Sequence, residues 1–409
     1  MRIDYKLLND IEQQLTEIQD IDILLERILT ETRRLVNADA GSIYVVENGN
    51  TLKIKHGQND TRSKLLAPGQ KLPYTAFSFP ITQSQICGYV ALTGKPLNIK
   101  NCYKIPESEP YKFNKSTDII TGYHTKSMYT FPLKNSSGKL LGVLQIINAK
   151  SKGGNIISFS EKAEFLITEF ANRVASVLQD ANANNNNIMR LIRTAGFHDP
   201  KETGTHVKRV STYSLEIYDR WAYNHRIPEI EPEWYKKYRD NLMVASKLHD
   251  LGKVGISDVI LTQNARFTDE QRQIMNSHTL IGAKIFEPVD NELDEMCQEI
   301  ALHHHEWWDG SEAGYPGKVN LDDFSVEDMV VPAGEPMKGN EIPLSARIVA
   351  VADVFDALSH KRYYKDAWTI DEAFDEIQRG SGTHFDPEIV EAFLQIKERI
   401  LAINESIPE

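Results

Sequence analysis

Apolar side chains near the start of the chain recur at helical spacing: Leu7, Leu8, Ile11, Leu15 and Ile18, then Ile21, Leu24, Leu25, Ile28 and Leu29. That period predicts one or two amphipathic helices across residues 4–36. From Asn37 to Gly41 the pattern breaks. Strand-like pieces follow, SIYVVE at 42–47 and TLKIKH at 51–56, joined by the turn residues NGN. Ile86, Tyr89, Val90 and Leu92 mark the apolar side of a helix over 83–94. MYTFPLK (128–134) and LLGVLQIINAK (140–150), separated by the turn NSSG, predict a strand hairpin. Helical spacing returns over 158–180, with Phe165, Leu166, Phe170, Val174 and Val177 on one side. From residue 198 the pattern is of successive helices with little alternation. The order predicts an α+β domain followed by an all-α domain.

Between them lies ANANNNN (181–187), and asparagine is a middling helix former that can weakly continue a helix or break it. Helix resumes at Ile188 and runs to Phe197. The expected organisation is a first domain over 1–180, a linker helix over 181–197 and a second domain over 198–409. The first 180 residues resemble the GAF family of small-molecule sensor domains, most tellingly in GYHTKSMYTFPLKNSSGKLLGVLQIINAK (122–150). The resemblance implies a regulatory domain with an unidentified small ligand; a dimerisation domain with no ligand is the other reading. Some relatives bind cyclic nucleotides and carry an Asn-Lys signature near this hairpin. Here the stretch reads Asn148-Ala149-Lys150, so that signature is interrupted. The apolar stripe on 158–180 suits a connector that joins two copies of the chain, so a homodimer is expected.

Composition narrows the class of function. At 41% hydrophobic and 25% charged residues, the 409-residue chain has the make-up of a soluble folded protein. No run approaches the ~18 apolar residues of a membrane helix. The start, MRIDYKLLNDIEQQ, lacks the apolar core of a secretory signal. Three cysteines (Cys87, Cys102, Cys297), none in a C-x-x-C pair, argue against a disulfide framework or a thiolate zinc cage, and suit a reducing cytoplasm. The formal charge of −12 disfavours binding to a nucleic-acid polymer. That charge is unevenly shared. Residues 1–185 hold 22 Lys and Arg against 18 Asp and Glu, whereas residues 186–409 hold 24 against 40. Ten of the twelve histidines lie at position 198 or later. Histidine and carboxylate without cysteine is ligand chemistry for divalent iron, manganese, nickel or zinc.

Spacing sharpens this. Glu202 and His206 are four apart, on one helix face. His249 and Asp250 end an apolar stretch, MVASKLHDLGKVG, with Gly252 placed to terminate the helix and Lys253 offering a cation beside the pair. His278 lies in a polar helical turn, and His303, His304, His305 and Glu306 form a cluster. Asp353 sits in the apolar helix RIVAVADVFDAL, where an unpaired carboxylate costs a few kcal/mol. Each group has an ordinary explanation: a satisfied core histidine, a helix-face pair, a solvated helix end, or Asp353 paired with Arg347 or Arg362. Bound cations would account for all of them together, including the buried charge of Asp250 and Asp353.

These motifs resemble a known family. HDLGKVG (249–255) is similar to the HD phosphohydrolase signature, and HHEWWDG (304–310) followed by Gly314-Tyr315-Pro316 resembles the HD-GYP subfamily. DPKETGTHVKRVSTYS (199–214), RIVAVADVFDAL (347–358), KRYYKDAW (361–368) and GTHFDPEIV (382–390) extend the likeness over roughly 190–400. It implies an all-α metallophosphodiesterase acting on cyclic di-GMP. Carried over by position, it places metal ligands at Glu202, His206, His249, Asp250, His278, His304, His305 and Asp353, with His303 as the non-ligand of the run. Two or three divalent ions, iron or manganese, are implied, with Glu202 associated with a third site. Asp250 and Lys253 take the catalytic roles. Lys253, Tyr315, Arg362 and Lys365 are implied to hold the dinucleotide.

The chain departs from the family pattern in two places. Gly310 to Pro316 is two residues longer than the usual GSGYP, and a long acidic, proline-bearing segment (317–343) follows. That segment reads either as a surface insertion or as a lid or partner-binding loop. The function implied is hydrolysis of cyclic di-GMP to linear pGpG, with further cleavage to GMP open. A receptor without turnover, or an enzyme for another cyclic dinucleotide, are the rival readings.

Overall fold

The computed structural model describes residues 5–73, 77–135, 137–197, 204–263, 265–326, 329, 331–332, 334–360 and 368–408. The chain divides into two compact units, 1–185 and 186–409. In the first unit the helical pattern of the opening residues resolves into α1 (Tyr5–Thr16) and α2 (Ile21–Leu35). Asp20 starts the second helix, its carboxylate accepting the N–H groups of Asp22 and Ile23 at 2.8 and 3.1 Å. Then come β1 (Ala38–Glu47), β2 (Thr51–Asn59), α3 (Asp60–Ser63), β3 (Ser78–Pro80), α4 (Ile86–Thr93), β4 (Leu97–Ile99) and α5 (Ser116–Thr121). Next are β5 (Met128–Lys134), β6 (Leu140–Lys150) and β7 (Ile156–Ile157), and the long α6 (Glu161–Gly196) begins in this unit and runs past its boundary. The strands form one antiparallel sheet in the order β3-β2-β1-β6-β5-β4, with β7 added to β6. Leu8, Leu24, Ile28, Phe170 and Val174 pack with Ile43, Phe131, Leu144 and Ile146 in one core cluster.

Two local expectations fail here. Asn37–Gly41 is not a break, because β1 begins at Ala38, paired with Ala149. Gly41 lies within the strand for lack of room: a Cβ there would sit 2.9 Å from the Gln145 carbonyl oxygen and 2.9 Å from Leu29 Cδ1. The asparagine run does not interrupt the helix either, since α6 is continuous from Glu161 to Gly196. Extending a helix costs only a few tenths of a kcal/mol per asparagine, less than the cost of starting a new one.

The second unit is helical, as its pattern predicts: α7 (Gly204–Asn224), α8 (Ile227–Ile230), α9 (Pro232–Ala245), α10 (Asp258–Leu261), α11 (Asp269–Asn276), α12 (His278–Ile285) and α13 (Glu292–His303). After the long connection come α14 (Leu344–Ser359), α15 (Ile370–Arg379), α16 (Pro387–Gln395) and α17 (Lys397–Ser406). α7 is buried along its length against α9, α14, α16 and α17, while α13 packs on α9, α12 and α14. No helix among the described residues is long and apolar enough to cross a membrane. All three cysteines are buried and unlinked.

Part of the segment 317–343 packs against the helical core. Phe324 is buried, and Val319, Leu321, Met329 and Val331 pack with it against Ile256, Leu280, Ile281 and Leu302. The Lys318 N–H donates to the Glu335 carbonyl at 2.8 Å and closes the base of the segment. These five apolar residues add to the core beneath α12, while Asp322, Asp323 and Val326 stay exposed.

Candidate metal centre

Five places in the second unit deliver imidazole and carboxylate groups to one buried region. His206 comes from the first turn of α7, and His249 and Asp250 from the turn after α9. His278 opens α12, His304 ends α13 with His305 next, and Asp353 lies within α14. Asp250, His278, His304 and His305 each bring a ligand atom within 4.8 Å of the others, and so do His206, His249 and Asp250. Asp250 thus belongs to both groups. Asp353 Oδ1 lies 3.6 Å from His206 Nε2 and 3.9 Å from His249 Nε2. His303 belongs to neither group; its Nδ1 faces Glu306 at 3.5 Å. Arg347 pairs with Asp386 and so serves a different carboxylate from Asp353. Glu202, Arg362 and Lys365 lie outside the described residues.

The backbone sets the orientation of the rings. His249 Nδ1 contacts the Ser246 carbonyl at 2.9 Å, His278 Nδ1 that of Met275 at 2.7 Å, and His304 Nδ1 that of Ile300 at 2.8 Å. A carbonyl oxygen only accepts, so each Nδ1 carries a hydrogen and each ring turns its Nε2 inward. His278 Nε2, His304 Nε2 and Asp250 Oδ1 are buried and make no hydrogen bond. Leaving such atoms unsatisfied costs about 1–3 kcal/mol each, and a cation shared between them removes that cost. Imidazole and carboxylate donors without thiolate fit a divalent ion.

The electrostatics agree. Burial, with the neighbouring imidazoles, depresses the pKa of His304 and lowers that of His305 much further, which favours the neutral rings that a metal would need. Burial opposes ionisation of Asp250, but Lys253 and His249 beside it overcome this and hold the carboxyl well below its usual range. Lys253 Nζ donates to Asp250 Oδ2 at 2.6 Å. The Tyr315 ring stacks on His305 with centroids 4.9 Å apart and planes at 27°. Burial raises the Tyr315 phenol above its ordinary value, with the charge of Asp250 adding to the effect.

Sequence reasoning missed two residues that hold the centre in shape. Asp356, one turn beyond Asp353 on α14, takes His206 Nδ1 at 2.8 Å. Its oxygens also accept Arg209 Nε at 2.6 Å and Nη2 at 3.0 Å. Burial works against ionisation of Asp356, and hydrogen bonds from His206, His360 and Arg209 more than offset it, so its pKa falls. The signal was present as two acids three apart in an apolar helix and an arginine three residues after His206. A carboxylate behind a metal-ligating histidine fixes the ring and raises its basicity. Asp356→Asn is therefore expected to weaken metal affinity roughly ten- to hundredfold. The same change strips Arg209 of its anion and should cost about 3–5 kcal/mol of stability. Metal titration with a thermal melt checks both, and an unchanged affinity would remove Asp356 from this role.

The sequence model of the HD domain matches residues 203–358, and a second HD-domain model matches 332–389. The GAF-domain model matches 20–178. The chain is therefore a GAF domain, built on an antiparallel sheet, followed by a helical HD domain. It is 37% identical over 209 residues to the 3'3'-cGAMP-specific phosphodiesterase 2 of Vibrio cholerae, an alignment covering 51% of this chain and 34% of that one. It is 37% identical over 207 residues to a cyclic di-GMP phosphodiesterase of Vibrio cholerae, covering 49% and 37%. A cyclic di-GMP phosphodiesterase of Thermotoga maritima is 33% identical over 251 residues, covering 61% and 57%. The chain thus spans between a third and three-fifths of the length of these relatives.

Proposed function

We propose that the HD domain is a metal-dependent phosphodiesterase that hydrolyses cyclic di-GMP to linear pGpG, under control of the GAF domain. The observation that carries this reading is the convergence of imidazole nitrogens on Asp250 in two adjoining groups. In this reading the ligands are His206, His249, Asp250, His278, His304, His305 and Asp353, with Glu202 completing a further site. Iron or manganese suits that donor set. Bound divalent ions would supply Lewis acidity, bringing the pKa of a water from ~15.7 toward ~7 and neutralising charge on the phosphate.

The chain's own residues do the rest. Asp250 has an oxygen for each ligand group and stays ionised beside Lys253. In this reading Lys253 would meet a non-bridging phosphate oxygen. Tyr315, lying on His305, offers a ring to the substrate, and Arg362 and Lys365 supply cations for a guanine edge or phosphate. The GAF domain would transmit the binding of a small ligand, with α6 joining two copies of the chain.

The relatives named for cyclic di-GMP support this substrate. A second reading, hydrolysis of 3'3'-cGAMP, is favoured by the relative named for that compound. Metal-replete protein incubated with cyclic di-GMP, 3'3'-cGAMP and cyclic di-AMP, with products separated by chromatography, tells them apart. Linear pGpG as the main product supports the proposal, and no product from any of the three points to a receptor without turnover. Glu202→Ala is expected to lower bound metal by about one ion per chain, as counted by elemental analysis. Unchanged stoichiometry would take Glu202 out of the ligand set.

A further inference from the structure

Glu306 follows His304 and His305 directly but belongs to neither ligand group. Its side chain is buried, and Oε1 accepts the backbone N–H of Gly317 at 2.5 Å. Gly317 stands two residues after Tyr315. The Tyr315 N–H donates to the His305 carbonyl at 3.3 Å. On the other side of Tyr315, Gly314 lies so close to the chain at Glu306 and Trp307 that a Cβ would sit 2.4 Å from the Trp307 nitrogen. Gly317 adopts a φ of 79°, and a Cβ on it would meet the Glu335 carbonyl oxygen at 2.5 Å. Tyr315 is thus clamped on both sides while its ring rests on His305. The other ties to 305–307 are backbone or packing contacts; Glu306 supplies a side-chain tie.

We propose that Glu306 is a positioning residue: through the Gly317 N–H it holds the Tyr315 ring flat on His305, where it meets the substrate. This rests on the reading of the HD domain as a cyclic-dinucleotide phosphodiesterase. A carboxylate on a buried amide is among the stronger hydrogen bonds, and its loss leaves the amide unsatisfied. The loop then shifts, and Tyr315 meets the substrate in a range of poses while the ligand groups stay as they are. The effect falls on substrate binding.

The test compares Glu306→Met, which keeps the length of the side chain but has no oxygen, with Glu306→Gln, which keeps an acceptor. Both are made in the full chain. Glu306→Met should raise KM for the hydrolysed dinucleotide about tenfold, with kcat within about threefold and metal content unchanged. Amide exchange in peptides spanning 311–320 should rise about tenfold in the same variant. Glu306→Gln should restore both. Loss of metal in Glu306→Met, equal damage by Gln and Met, or unchanged exchange at 311–320 would each overturn the proposal. Should Glu306→Met not fold, Glu306→Asp replaces it, since it draws the oxygens back by one carbon and should show the same KM and exchange changes. If the wild-type protein cleaves no cyclic dinucleotide, the functional reading fails by itself, and the exchange comparison still decides what Glu306 holds.

Discussion

Asp250→Ala is expected to empty the centre of metal and to abolish phosphodiester hydrolysis, a loss on the order of ten-thousandfold or more in kcat. Asp250 is the residue common to both ligand groups, with Oδ1 3.3 Å from His278 Nε2 and Oδ2 3.2 Å from His249 Nε2. Removing it takes a charged donor from each group at once. It also removes the carboxylate that Lys253 Nζ meets at 2.6 Å, so the ammonium charge opposes a nearby cation more strongly. Elemental analysis and a turnover assay on the same preparation check the expectation, with circular dichroism to show that the helices persist. Hydrolysis retained at unchanged metal content would refute the shared role of Asp250.

The second large effect concerns a residue with no functional group. Gly252→Ala is expected to disrupt the HD domain, with a destabilisation of more than about 4 kcal/mol. The local pattern marks Gly252 as a helix terminator, but α9 ends earlier, at Ala245, and the chain passes through short 3-10 turns (Ser246–Leu248 and Leu251–Gly255). Gly252 instead lies directly against α12. An added Cβ would sit 1.9 Å from the His278 carbonyl oxygen and 2.4 Å from the Gly282 nitrogen. Both are backbone atoms of a packed helix, so α12 itself must move, carrying His278 away from Asp250. Calorimetry should show the HD transition lowered or lost and the GAF transition retained, since the GAF core draws on residues before 182. A melting profile and turnover equal to wild type would show that the two segments can part at little cost.

Elements governed by neighbours in sequence are legible in the residue pattern itself. The hairpin strands run from Met128 to Lys134 and from Leu140 to Lys150, as the alternation and the turn between them predict. The pattern misleads where a distant element overrides local preference. Ala38–Gly41 looks like a break until β6 is laid beside it, and the acidic stretch around Phe324 gives no sign that this ring packs against α12. In the asparagine run the reason is energetic, since a weak preference cannot stop a helix already under way.

The chemistry divides along the same line. Local order in the chain is enough to select the donor types, to put His249 beside Asp250 and His304 beside His305, and to mark Asp353 as a costly acid in an apolar helix, because residue type and burial pattern are local properties. It cannot say which carbonyl fixes the tautomer of each ring, that Asp356 and Arg209, 147 residues apart, stand behind His206, or that Glu306 reaches Gly317. Those relations depend on distances between backbones that only close packing of α7, α12, α13 and α14 creates. Packing alone brings together groups that the chain keeps far apart, and there the candidate metal centre takes its shape.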